Sequence, residues 1–105
     1  MSNKKSLNCI GNIVVVPIGV GTSLSKYVAM CHKILQKYPI KTKLHSNGTN
    51  VEGDFDSITQ AIKEFHHTLH DIGVPRIHTE LSIGTRNDRV QTMKDKIDSV
   101  ENKLK

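Results

Sequence analysis

Thr49-Asn50-Val51-Glu52-Gly53 is the stretch on which the fold turns: a short β-type run, closed by a glutamate and a glycine, between two helical patterns in a chain of 105 residues. Ahead of it Ile40, Thr42 and Leu44 alternate with Lys41, Lys43 and His45, and the turn Ser46-Asn47-Gly48 joins the two runs into a hairpin. Behind it Asp54 or Asp56 is placed to cap a helix. The stripe of that helix, Ile58, Ala61, Ile62, Phe65, Leu69 and Ile72, stops at Gly73 with Pro75 beyond.

Working outward, Cys9 to Val20 is rich in β-branched residues and apolar on both alternating faces, with Ile10, Val14, Val16 and Ile18 on one and Ile13, Val15 and Pro17 on the other. Ser23 or Ser25 is expected to cap a helix carrying Leu24, Val28, Cys31, Leu35 and Tyr38, ended by Pro39. Beyond the second helix, Ile77, Thr79, Leu81 and Ile83 alternate with His78, Glu80 and Ser82 as in a half-buried strand. Asp88 is expected to open a last helix over 88–104, with Val90, Met93, Ile97, Val100 and Leu104 in a narrow seam. Strand, helix, strand, strand, helix, strand defines an α+β, ferredoxin-like βαββαβ sandwich, here with an additional C-terminal helix. The predicted organisation is one domain over 1–105 with a flexible tail at 1–7. Both inner helices of this topology cover the same face of the sheet, so the apolar second face of the first strand calls for a cover. A second copy is the expected partner, giving a dimer or a dimer of dimers.

Composition narrows the function classes. Aromatic residues make up 4% of the chain and there is no Trp, so although Lys+Arg 15 exceed Asp+Glu 10, the scattered lysines lack the stacking residues of a nucleic-acid surface. No nucleic acid and no membrane are expected as partners, since the longest apolar run falls far short of the ~20 residues of a span. Lys4 and Lys5 are not followed by an apolar signal segment, and the lone thiols Cys9 and Cys31 sit in apolar surroundings, which fits reduced residues in a cytoplasmic protein. No phosphate-loop, dinucleotide or nucleophile-elbow motif occurs.

Several side chains are candidates for chemistry. Glu52, His78, Glu80 and Asn12 are predicted on the polar side of the sheet, where a carboxylate and an imidazole could bind an amide-bearing or cationic heterocycle or form an acid/base pair; a satisfied polar layer at a subunit interface accounts for the same residues. Gly53 allows close approach of ligand or backbone. His66 and His70 have the spacing of two metal ligands on a helix, but with His67 between them and no third ligand in place an exposed polar face is preferred, so no metal and no cofactor are expected. Arg86 and Arg89, with Arg76, are read as a cluster near the start of the last helix that could take sulfate or phosphate or pair with Glu80 and Asp88.

Val16-Pro17-Ile18-Gly19, Ser23-Leu24-Ser25 with Tyr27-Val28, Thr49-x-Val51-Glu52-Gly53, His66, Arg76 with Thr79, Arg86, and Lys96 with Ser99-Val100-Glu101 together resemble the thiamine-binding-protein-like family over nearly the whole chain. The resemblance implies a ferredoxin-like fold assembled into dimers and tetramers through sheet faces and, in some relatives, binding of thiamine or its pyrimidine moiety. Ser23, Thr49, Glu52, Arg76 and Arg86 stand at motif positions, and His78 joins them from the reading of the sheet. The leading expectation is a non-enzymatic, homo-oligomeric binder of a small molecule, thiamine-like or a simple anion such as sulfate. In it Glu52 faces the cationic part, Ser23 and Thr49 supply hydroxyls, and Arg86 meets a negative group. An acid/base enzyme using Glu52 with His78 and a pure assembly or adaptor protein are the alternatives, because the fold hosts many functions.

Overall fold

A computed structural model describes residues 6–105, in the order β1 (Asn8–Ile18), α1 (Ser25–Leu35), β2 (Ile40–His45), β3 (Gly48–Asp54), α2 (Phe55–Asp71), β4 (Arg76–Thr85) and α3 (Met93–Lys103). The sheet runs β2-β3-β1-β4 with every neighbouring pair antiparallel, which is the ferredoxin-like α+β arrangement expected. Residues 1–5 of the expected tail lie outside the described residues. Leu7 is held: its N–H donates to Asp54 Oδ1 at 2.9 Å and its carbonyl accepts from Phe55 N at 2.9 Å.

Alternation along β1 sends Cys9 and Ile13 into the core under α1 and α2, where they meet Val51, Cys31, Leu35, Ile58, Phe65 and Leu69. Asp54 caps α2 by accepting from Asp56 N and Ser57 N, so the second carboxylate, Asp56, is not needed for the task. The helix ends as its sequence promises. Gly73 has φ +102°, its N–H donates to His70 O, and Val74 N donates to Leu69 O, the paired bonds of a Schellman stop that drops Val74 into the core. Gly53 has a backbone reason for lacking a side chain, because a Cβ there would lie 3.2 Å from the Pro39 carbonyl oxygen.

Two helix starts differ from expectation. At α1 the N-cap is Leu24, which makes no side-chain capping bond, so neither Ser23 nor Ser25 caps it. At α3 the cap is Thr92, not Asp88: Thr92 Oγ1 accepts from Asp95 N while Asp95 returns a bond to Thr92 N, a capping box that begins the helix at Met93. Asp88 is drawn away by Arg86, and Val90 stays outside the helix and exposed. The face of β1 that carries Ile10, Val14, Val16 and Ile18 points away from α1 and α2. Near its Ile10 end it is crossed by α3, none of whose residues is buried.

Candidate functional site

A cavity of about 290 Å³ opens between α1 and the tip of the β2–β3 hairpin. Its wall is apolar through Ile13, Val15, Val28 and Leu35, and Thr49 and His32 bring polar groups to it. Thr49, which pairs with Ile13 across the β1–β3 ladder, faces the helices and is buried. His32 stands four residues after Val28, on the flank of the α1 stripe, and its Nδ1 is buried with no hydrogen-bond partner among the described residues. An unsatisfied buried nitrogen costs about 1–3 kcal/mol, so a turn of the ring that brought this atom to a partner in the cavity would relieve that cost. Cys31 also lines the cavity, but burial pushes its thiol up to about 12, leaving it protonated and unreactive at neutral pH. Among the described residues no carboxylate lines this cavity.

The residues singled out in the sequence are dispersed. Thr49 belongs to the cavity, whereas Glu52, three positions on, points to the opposite sheet face by strand alternation. There Glu52 Oε1 accepts the Met93 N–H at 2.7 Å, with the Lys41 ammonium 3.9 Å from the other oxygen. The partner a half-buried glutamate needs is thus the start of α3, where the helix dipole favours a negative charge. His78 does not meet Glu52. Glu52 is opposite Ile10 and His78 opposite Val16, six residues along β1, or about 20 Å at the rise of an antiparallel strand. His78 Nε2 instead lies 3.2 Å from Glu80 Oε2 on the exposed side of β4, so the acid/base pairing of Glu52 with His78 has no geometric basis. Ser23 is exposed in the loop before α1. Arg76 opens β4 while Arg86 follows its last residue, and ten residues of strand, about 34 Å, separate them, so the expected three-arginine cluster reduces to Arg86 and Arg89.

Asn12 lies on the outer face and accepts from His45 Nε2 at 2.8 Å, while His45 Nδ1 accepts from Asn47 N; this fixes the neutral tautomer with its proton on Nε2. His66 and His70 are each engaged by the protein: His66 Nε2 is 2.7 Å from Thr79 Oγ1, and His70 Nδ1 donates to the Val74 carbonyl at 2.8 Å. Among the described residues no three His, Cys, Asp or Glu side chains gather as a metal site requires. His32 was the residue missed in the sequence. Its signal was a polar side chain on the edge of an apolar helical stripe, which the hairpin then covers.

The fold and the cavity define a small ferredoxin-like protein with a ligand-sized hollow between helix and sheet. Residues 11–101 match the family model described as "Thiamine-binding protein", and the chain belongs to that family. It is 46% identical over 97 residues to a protein of Synechocystis, covering 92% of this chain and 80% of that one, and 40% identical over 99 residues to ECM15 of Eremothecium gossypii, covering 93% and 94%. The crystal structure of a Methanocaldococcus jannaschii protein superposes with a TM-score of 0.84 at 33% identity, over 90% of this chain and 96% of that one. A Thermotoga maritima protein named as a candidate for thiamine biosynthesis or salvage shares the fold, with a TM-score of 0.74 at 22% identity, over 89% of this chain and 98% of that one. Among the described residues no helix is long and apolar enough to cross a membrane.

Proposed function

We propose that this chain is a non-enzymatic, homo-oligomeric binding protein of the cytosol that holds the pyrimidine part of thiamine, or a close relative of it, in the cavity between α1 and the β2–β3 hairpin. The observation that carries the reading is the unpartnered Nδ1 of His32 at an apolar cavity. A planar heteroaromatic ring with an amino group satisfies both requirements at once: its faces meet Ile13, Val28 and Leu35, and its N–H bonds to His32 while Thr49 supplies a hydroxyl. The family description supports the ligand class. The cationic thiazolium of whole thiamine finds no counter-ion there, so it stays at the mouth, near the exposed Leu44. Glu52, expected to meet that cation, is committed to α3 on the other side of the sheet.

Isothermal titration of the protein with thiamine and with its free hydroxymethyl-aminopyrimidine tests this. Both bind, with similar affinity, and Thr49→Val and His32→Leu each weaken binding about tenfold or more, the worth of a buried hydrogen bond. His32→Leu also leaves the unfolding midpoint unchanged or raised, because it removes an unsatisfied buried nitrogen. Absence of binding for both compounds, or binding indifferent to both substitutions, overturns the assignment.

A further inference from the structure

At the other end of β1 lies a second pocket, of about 340 Å³, between the paired ends of β1 and β4 and the segment that leads to α3. Among the described residues three cationic side chains line it, Arg86, Arg89 and Lys96, and no carboxylate does. Arg86 shapes the wall: Asp88 takes its Nε at 2.6 Å and also its Nη2, and Gln91 Oε1 accepts from Nη1 at 2.9 Å. That clamp holds across the physiological range, since the Arg86 guanidinium keeps the Asp88 carboxyl down at about 2. Asp88 is in direct contact with Arg86, whereas Arg89 acts on Asp88 and Asp95 only through space. Arg89 and Lys96 enter no ion pair among the described residues, so neither is held in direct contact with a carboxylate. Beside them stand Leu7, Ile10 and Val90, the last of these 88% exposed.

We propose that this pocket is a phosphomonoester site, in which Arg89 and Lys96 hold the phosphate and Leu7, Ile10 and Val90 pack against the organic body. A bare inorganic anion would leave most of 340 Å³ unfilled and the apolar wall in water, whereas an ester of aryl or heteroaryl size fills the space with its charge at the cationic side. Arginine favours phosphate through its fork of donors, and the lysine adds a mobile point charge. Gly84, opposite Ile10 in the β1–β4 ladder, keeps the floor clear: beyond its chain neighbours, the nearest described atom to a Cβ added there would be the Ile10 carbonyl oxygen at 3.9 Å.

The test is titration of the full chain with phenyl phosphate, inorganic phosphate and phenol, followed by calorimetry and phosphorus NMR. Phenyl phosphate binds, inorganic phosphate binds at least tenfold more weakly, and phenol does not bind measurably. Arg89→Ala and Lys96→Ala each weaken phenyl phosphate about tenfold and flatten its salt dependence. Gly84→Leu, which fills the pocket without a backbone clash, abolishes binding while the thermal midpoint stays near that of the parent chain. Equal affinity for phenyl phosphate and inorganic phosphate overturns the proposal, as does binding that survives both charge removals or Gly84→Leu. Affinity for the free pyrimidine under α1 is unchanged in all three variants, so the two sites fail or succeed separately.

Discussion

Strand parity decides more about this protein at the level of single residues than any motif does. Thr49 and Glu52 were read together because they share one short stretch, yet an odd separation along a strand sends them to opposite faces of the sheet. Their alternation was legible in the sequence; that the second face is occupied by the amino end of α3 was not, because a cap supplied from 41 residues away leaves no local trace. His32 illustrates the converse, a side chain whose neighbours in sequence mark it only as a stripe-edge residue and whose meaning comes from the hairpin above it. His66 carries a prediction at this scale. Burial, then the charges of His70 and His67, holds its imidazole below the ordinary 6.5. The unfolded chain therefore takes up a proton there before the native one does, so stability is full above about pH 6.5 and falls as pH drops from there toward the lower native value. Urea midpoints measured from pH 7.5 to 5 should decline, and His66→Gln should remove part of that slope while keeping a hydrogen-bonding group against Thr79. A slope unchanged by the substitution would move the effect to another group.

Among the elements, those with strong stops and clean alternation were legible: the hairpin, the Gly73 end of α2 and the two-faced pattern of β4 all stand where the sequence places them. The helix starts were less so. Several hydroxyl and carboxylate residues compete near each one, and the choice between Asp88 and Thr92 turned on Arg86 taking the aspartate and on Asp95 completing a box with the threonine. α3 is unusual in its attachment, since it buries none of its residues and its first N–H rests on Glu52. Thr92→Ala should accordingly cost about 1 kcal/mol of local helix stability, the usual worth of an N-cap. Amide hydrogen exchange over the first turn of α3 should rise about fivefold while the global unfolding midpoint hardly moves. A large drop in that midpoint would show α3 to be part of the cooperative core.

For the whole molecule, the ferredoxin-like order followed from the sequence because turn and helix signals alternate without ambiguity, while the location of the cavity under α1 did not, since it is made by elements that meet only on folding. The outer face keeps Val16 and Ile18 more than a third exposed, and Val100 on α3 and Leu104 at its C-cap project into solvent. An apolar strand face of this kind is what a second copy would cover. Light scattering after size exclusion should report a dimer or tetramer for the parent chain, and Val16→Lys should shift it at least one step toward the monomer with near-unchanged helix content. A monomeric parent would rule the assembly out. The lightly held helix has a practical corollary. Because α3 rides on the face opposite the cavity under α1, an environment-sensitive dye attached at Lys105 would sit beside Leu104 and brighten when copies meet, giving an optical readout of association that leaves the cavity side of the sheet untouched.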